Sequence, residues 1–160
     1  MKTLAVLMVL LLGSSFAQNV EPTLEQLQDI RLALSFYEDV ESAKASGYEQ
    51  FMDCMSNTQG AQGIHFLNGA LVDTEFEVLR PELLMYEPRA DGSLRLIAAE
   101  YVVFQKAWHE AGNKAAPTLL GREFYLNTTL LDEPFYGLHA WVWQYNPLGF
   151  FANWNPLVSC

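Results

Sequence analysis

An antiparallel hairpin is predicted by residues 83–104, LLMYEPRADGSLRLIAAEYVVF. Two apolar runs, residues 83–86 and 94–104, lie on either side of the Asp91-Gly92 step, which is a strong turn signal between strands. We therefore expect two paired strands joined by a tight turn, and the other elements can be placed relative to this hairpin.

Further strands are expected on both sides of the hairpin. Residues 64–67 follow two glycines, and residues 138–145 are rich in aromatic and β-branched side chains, which favour strands. Residues 105–132 are expected to be mostly loop, with one candidate strand at 124–126, because glycine, asparagine, proline and charged residues are scattered through them. Residues 148–160 are predicted to form an ordered coil on the surface.

An amphipathic helix is predicted before the strands. Thr23 and Gln26 form a capping box, and the helix is expected to run to about Ser46, because Gly47 is a natural stop signal. Apolar side chains recur at helical spacing at Leu24, Leu27, Ile30, Leu34 and Tyr37. A helix followed by antiparallel strands predicts an α+β fold, with the N-terminal helix packed on a curved antiparallel sheet or partial barrel.

The start of the chain has the features of a secretory signal peptide. Lys2 supplies a positive charge, residues 4–12 are apolar, and Ser15 and Ala17 are the small residues of a cleavage site. The alternative, a membrane anchor, needs about 20 apolar residues, and this run is shorter. We therefore expect residues 1–17 to be removed, and residues 18–160 to form a single globular secreted domain with no membrane span.

The two cysteines, Cys54 and Cys160, are predicted to form a disulfide, since secretion exposes them to an oxidising compartment. The alternative, a catalytic thiol, needs a base and would leave its partner unpaired. Asn127 begins the sequence Asn-Thr-Thr, which is an N-glycosylation signal if the source is a eukaryote.

The composition makes nucleic acid an improbable partner. The chain has 160 residues, with 19 acidic and 9 basic side chains and a formal net charge of −10, so it lacks the basic surface that neutralises phosphates. At 51% hydrophobic residues it has ample material for a packed core. The negative charge therefore argues against nucleic acid as a partner and does not indicate which partner the protein has.

Glu100 is an unusual residue within the hairpin. Alternation along the second strand places it on one face with Leu94, Leu96, Ala98, Val102 and Phe104. A carboxylate in an apolar row is normally neutralised, paired or bound to a metal ion. The simpler alternative is an ion pair with Arg80, Arg95 or Arg122, or a face that is open to water.

Two of the three histidines are also expected inside strands. His65 and His139 lie in apolar segments, whereas His109 lies beside the predicted loop. If both converge on Glu100, two imidazoles and one carboxylate form a ligand set that suits zinc, copper or non-haem iron. Polar neighbours that could complete such a site are Asn68, Tyr101 and Gln144.

A second candidate site is aromatic. Trp141, Trp143 and Tyr145 are predicted to share a strand face with His139. Core packing explains most such clusters, yet an aromatic concavity with a few polar groups also suits a small apolar ligand. The ligand-binding residues expected here are Asn68, Tyr101, Trp141 and Trp143.

Five short motifs accompany these candidates. They are Gly63-x-His65-Phe66-x-Asn68, Pro81-Glu82-x-Leu84-x-Tyr86-Glu87-Pro88, Leu96-x-Ala98-x-Glu100-Tyr101, Leu138-His139-Ala140-Trp141-x-Trp143-x-x-Asn146-Pro147 and the terminal Trp154-Asn155-Pro156-x-Val158-x-Cys160. Over residues 48–160 they resemble a family of small secreted proteins of unknown function. The resemblance implies an exported single domain with a Cys54–Cys160 bridge, and it brings no activity with it.

Two functional hypotheses follow from the sequence. The first is a secreted protein that holds a divalent transition metal through His65, Glu100 and His139. If the protein is an enzyme, the metal would act as its Lewis acid or redox centre. The second is a secreted module that binds a small apolar ligand without metal or catalysis. The sequence contains no serine-hydrolase elbow, no phosphate-binding glycine-rich loop and no Cys-x-x-Cys motif.

Overall fold

The computed structural model describes residues 21–160, and the predicted signal peptide at residues 1–17 lies outside them. The helices are α1 (Leu24–Leu34), α2 (Val40–Ala45) and α3 (Gln105–Glu110). The strands are β1 (Glu49–Asn57), β2 (Gly60–Leu67), β3 (Leu83–Pro88), β4 (Leu94–Phe104), β5 (Thr118–Leu119), β6 (Arg122–Glu123), β7 (Tyr125–Asn127) and β8 (Phe135–Ala140). None of the helices in this part of the chain has the length and apolar character that crossing a membrane requires.

Six strands form one antiparallel sheet in the order β1-β2-β3-β4-β8-β7, while β5 and β6 form a separate two-stranded ribbon. The sheet curls into a half-barrel, so it has an inner and an outer face. This confirms the predicted α+β fold and the hairpin of β3 and β4, whose strands pair from Leu83–Glu100 to Pro88–Leu94.

The predicted N-terminal helix is interrupted. Its capping box forms as expected, with the Gln26 backbone N–H donating to Thr23 Oγ1 at 3.2 Å. After α1 the chain passes through a 3-10 turn, Ser35–Glu38, before Asp39 caps α2 by accepting a hydrogen bond from the Ser42 backbone. The prediction of a single helix running to Ser46 was therefore wrong, because aspartate and serine side chains offer the backbone alternative hydrogen bonds.

The helices cover the outer face of the sheet. Ile30 and Leu34 of α1 pack with Tyr101 of β4 and Leu138 of β8 in a buried apolar cluster. These side chains alternate with Glu100 and His139, which point to the inner face. The outer face therefore supplies the main hydrophobic core, and the inner face carries the unusual polar residues.

A β-bulge changes the predicted alternation along β4. Met85 pairs with Ala98, but Tyr86 pairs with Leu96, so Ile97 is an extra residue on β4. Leu96, together with Leu94, therefore packs in the outer apolar cluster, whereas Ala98 stays on the inner face with Met85. The single apolar row expected from residue 94 to residue 104 is broken at this point.

Other boundaries also differ from the sequence prediction. β1 was not predicted, and α3 occupies part of the expected loop. β8 ends at Ala140 rather than at residue 145, since the backbone N–H groups of Trp143 and Gln144 both turn to the Ile97 carbonyl oxygen. Tyr145 is consequently exposed.

The C-terminal segment is fixed to the rest of the domain at two places. Cys54 of β1 and Cys160 form the predicted disulfide, with their Cα atoms 5.5 Å apart. Asn155 and Ala61 exchange backbone hydrogen bonds at 3.1 Å. Gly60 allows this approach, because a Cβ there would lie 2.2 Å from the Asn155 carbonyl oxygen.

A second buried carboxyl group, Glu82, lies just before β3. Its side chain is 2% exposed, and its Oε2 accepts a hydrogen bond from the Val102 backbone N–H at 3.2 Å. Burial raises the pKa of this carboxyl group to about 8, and the charges of Asp73 and Glu100 act in the same direction. Glu82 is therefore mainly protonated at neutral pH.

Substitution Glu82→Gln is expected to remove part of the pH dependence of stability. The folded protein keeps this proton up to about pH 8, whereas the ordinary pKa is 4.5. Its stabilising effect is therefore fully present below pH 4.5 and is lost as the pH rises to 8. Relative to the variant, the wild type should lose about 1 kcal/mol of unfolding free energy per pH unit between about pH 6 and 8. Urea unfolding measures this, and parallel pH profiles would contradict it.

The double variant Cys54→Ser, Cys160→Ser should unfold at a lower urea concentration than the wild type. The bridge closes a sequence separation of 106 residues, and the loss of that constraint on the unfolded chain costs about 4 kcal/mol. Equilibrium unfolding measures the difference. A loss below about 1 kcal/mol would show that the bridge constrains the unfolded chain little.

Candidate metal centre

Three polar side chains meet on the inner face of the half-barrel. They are His65 of β2, Glu100 of β4 and His139 of β8, which are 3%, 5% and 1% exposed. Glu100 and His139 are direct partners in the β4–β8 register. His65 reaches them across β3, because the curl of the sheet brings inward-pointing side chains together. The predicted convergence of these three residues is present in the structure.

The spacing of the three groups suits a shared cation. Glu100 Oε2 is 3.7 Å from His65 Nε2, and Glu100 Oε1 is 3.6 Å from His139 Nε2. These distances are too long for hydrogen bonds. Two ligands about 2.1 Å from one tetrahedral metal ion lie roughly 3.4 Å apart, which is close to both separations. One ligand atom from each residue can be chosen so that all lie within 4.8 Å of one another.

Tyr125 of β7 contacts both Glu100 and His139. Its hydroxyl group donates to Glu100 Oε1 at 3.2 Å and lies 3.3 Å from His139 Nδ1. When the one phenol proton lies on Glu100, the hydroxyl oxygen is left to accept the Nδ1 proton of His139. His139 Nε2 then carries a lone pair, and it is a buried atom without a hydrogen-bond partner. His139 Nε2 and Glu100 Oε1 thus face each other at 3.6 Å with no hydrogen bond between them.

Gly137 leaves room for this arrangement. It lies in β8, two residues before His139, and a Cβ at this position would be 3.1 Å from Glu100 Oε1 and from the Tyr125 hydroxyl oxygen. Any larger residue would press against both groups. The glycine therefore allows the phenol to lie over the carboxylate.

Burial opposes charge on all three residues. Loss of hydration lowers the pKa of His65 to about 4, with Glu100 acting in the opposite direction. Burial likewise lowers the pKa of His139 to about 4, opposed by the side chain of Asn153. Burial raises the pKa of Glu100 despite the neighbouring His65 and Tyr125. At neutral pH the imidazoles are neutral, which is the state in which histidine binds a metal ion.

The cluster lies at one side of a cavity of about 310 Å³ that is mostly apolar. The cavity lies between the two edge strands of the half-barrel, with Met52 and Met55 of β1 on one side and Tyr125 of β7 on the other. Apolar side chains around it include Phe51, Leu67, Val72, Leu83, Val102, Phe104, Leu130, Leu131 and Phe135. Glu100 is the only acidic residue among its lining residues in the described part of the chain, and these residues include no lysine or arginine.

The structure brings only some of the other predicted residues near this centre. Trp141 stacks beside His139 with ring centroids 6.4 Å apart. Asn68 instead caps a 3-10 turn, with its side chain accepting from the Ala70 backbone N–H. Tyr101 points to the outer face and donates to the Val78 carbonyl oxygen at 2.7 Å. Alternation explains this, because Tyr101 follows Glu100 directly in β4.

Two further residues that the sequence grouped with the site also lie elsewhere. Trp143 packs in the apolar clusters of the outer face, because β8 has already ended. Gln144 accepts a hydrogen bond from Arg95 at 2.7 Å. His109, predicted to be solvated, is exposed and bonds to the Asn113 carbonyl oxygen and the Tyr136 hydroxyl group.

The arginines proposed as partners of Glu100 include two that pair with other carboxylates. Arg80 pairs with Glu77, and Arg95 pairs with Glu87. Asn127, the predicted glycosylation residue, is half-buried beside the cavity, and its side-chain oxygen accepts from the Thr129 backbone N–H at 3.0 Å. Its glycosylation stays a prediction.

Comparison of the chain with family models, with curated proteins and with solved structures finds no match in any of the three. The resemblance to a family of small secreted proteins therefore stays a prediction. What this site does has to be inferred from its own geometry and chemistry.

Substitution Glu100→Gln should leave the metal-free protein as stable as the wild type, or about 1 kcal/mol more stable. The amide removes a carboxylate that burial disfavours, and its N–H group can donate to the lone pair of His139 Nε2. Urea unfolding in the presence of a chelator measures the difference. The exposed Glu123→Gln is the matched control and should change nothing. A loss above about 1 kcal/mol in Glu100→Gln alone would identify a structural ion pair instead.

Proposed function

We propose that this protein is a secreted metal-binding protein that holds one divalent transition metal ion through His65, Glu100 and His139. The observation that carries the proposal is the buried His139 Nε2 atom, which has no hydrogen-bond partner and lies 3.6 Å from Glu100 Oε1. A buried atom of this kind costs free energy unless a cation or a donor satisfies it. A metal ion would satisfy both atoms and His65 together.

Secretion is supported by two features of the chain. Residues 1–17 have the pattern of a signal peptide. The Cys54–Cys160 disulfide is consistent with an oxidising extracellular environment.

Zinc is the ion that the ligands favour, with copper and non-haem iron as alternatives. Two imidazoles and one carboxylate form a known zinc ligand set, and the separations of about 3.6 Å are near those of a tetrahedral site. Both cysteines are held in the disulfide, so no thiolate is available to favour monovalent copper or blue-copper chemistry.

Tyr125 would hold the metal ligands in place. Ligating histidines usually donate their second N–H group to an acceptor, which fixes the ring and its tautomer. The Tyr125 hydroxyl oxygen lies 3.3 Å from His139 Nδ1, where it can accept this proton, and the hydroxyl group donates to Glu100 at 3.2 Å. Two of the three ligands are therefore oriented by one side chain from an edge strand.

Three protein ligands would leave a fourth position of a tetrahedral ion open, and the cavity lies beside it. An ion with an open position can bind a further molecule or act as a Lewis acid. The alternative function, an apolar-ligand carrier without metal, is favoured by the apolar cavity itself. The two functions differ in whether metal is present.

Metal analysis of the purified mature protein separates them. We expect one zinc ion per chain after incubation with zinc and dialysis, and less than one tenth of that in His65→Ala and in His139→Ala. His109→Ala is the matched control, because this exposed histidine is outside the cluster, and it should keep one zinc ion. Circular dichroism of each variant verifies folding.

Equal zinc in the wild type and both cluster variants, or no zinc in the folded wild type, would refute the proposal. Substitution of cobalt for zinc adds an independent readout. Visible absorption bands of a four- or five-coordinate cobalt site should appear in the wild type and in His109→Ala, and should be absent from both cluster variants.

A further inference from the structure

The cavity beside the cluster limits the molecule that could occupy the open position of the metal. Its volume is about 310 Å³, at the lower end of small-molecule sites. At roughly 30 Å³ for each water-sized group in a liquid, it holds about ten non-hydrogen atoms. The occupant is therefore small, and a long lipid chain would not fit inside.

The walls of the cavity favour an apolar body. Methionine and phenylalanine side chains of β1, namely Phe51, Met52 and Met55, face the inner surface of the sheet, and Leu130 with Leu131 closes the side near β7. Phe51 and Leu130 are 44% and 40% exposed, so apolar side chains also reach the surface at the open seam between the two edge strands. An apolar chain can therefore pass from the seam to the cluster along apolar contacts.

The charge at the inner end favours an anionic head. A divalent ion bound by Glu100 and by two neutral imidazoles leaves one positive charge uncompensated. The lining residues in the described part of the chain include no carboxylate other than Glu100 that could balance it, and no lysine or arginine that would compete for an anion. An unpaired charge in an apolar site is costly, and a monoanionic ligand removes that cost.

Resting on the metal site proposed above, we infer that the ligand of this protein is a medium-chain monocarboxylate of about eight carbons. Its carboxylate completes the coordination of the metal ion beside His65, Glu100 and His139. Its alkyl chain fills the cavity and ends near Phe51 and Leu130. An eight-carbon carboxylate has about ten non-hydrogen atoms, which matches the volume.

Calorimetric titration of zinc-loaded mature protein with octanoate tests the inference. We expect one octanoate per bound zinc ion, with an affinity at least tenfold higher than in the zinc-free protein. Probes of the same chain length distinguish the head group, since octanol and octylammonium should bind at least tenfold more weakly than octanoate. Probes of other lengths test the cavity, since acetate should bind at least tenfold more weakly and palmitate no more tightly than octanoate.

A cavity variant gives a second, independent test. Met55→Trp fills space beside the apolar wall and should weaken octanoate binding at least tenfold while the protein keeps one zinc ion. Ser56→Trp is the matched control, because the neighbouring residue of β1 is exposed and outside the cavity lining. If Met55→Trp does not fold, Met52→Trp places the same bulk on the same wall.

The outcomes separate the two proposals. Absence of zinc from the folded wild type refutes the metal site and this inference together. One zinc ion without octanoate binding refutes the inference alone. Equal octanoate affinity with and without zinc also overturns it, because the head group would then not bind the metal. Unchanged octanoate affinity in the folded Met55 variant would place the ligand outside the cavity.

Discussion

Glu100 of β4 and His139 of β8 are paired in the sheet and buried side by side on its inner face. The arrangement of the other polar groups on that face depends on this pair. Burial raises the pKa of Glu100, whose Oε1 accepts a hydrogen bond from the Tyr125 hydroxyl group, and the facing Nε2 atom of His139 is buried without a hydrogen-bond partner. Burying these polar groups costs free energy, which the apolar packing of the outer face offsets. Such an arrangement lowers the stability of the metal-free fold, and a bound cation would offset that loss, as functional sites often trade stability for activity.

The shape of the sheet connects this cluster to the cavity. A half-barrel leaves two edge strands, and β1 and β7 form opposite sides of the open seam. The disulfide fixes β1 to the C-terminal segment, while β7 carries the phenol that contacts Glu100 and His139. The two edge strands therefore position the residues of the cluster, and the seam between them leaves the cavity open to solvent.

Residue type and strand alternation were enough to predict that Glu100, His65 and His139 converge, because each is an isolated polar residue in an apolar strand. Residue type and alternation were not enough to predict which residues surround the cluster. Tyr125 lies in β7, close to the candidate strand predicted at 124–126, but only its pairing with Gly137 brings it over Glu100. Tyr101 lies on the outer face because it follows Glu100 directly in β4, which the alternation already implied. Trp143 lies there because β8 ends before it, and that boundary depends on tertiary pairing. The bulge at Ile97 is likewise a tertiary feature without a local signal.

Anomalous diffraction at the zinc absorption edge, from crystals of the zinc-loaded mature protein, tests the central claim most directly. The account predicts one anomalous peak inside the half-barrel, within about 2.0–2.2 Å of Nε2 of His65, Nε2 of His139 and one carboxylate oxygen of Glu100. A peak at the exposed His109 instead, or none beside Glu100 in protein that contains stoichiometric zinc, would contradict it.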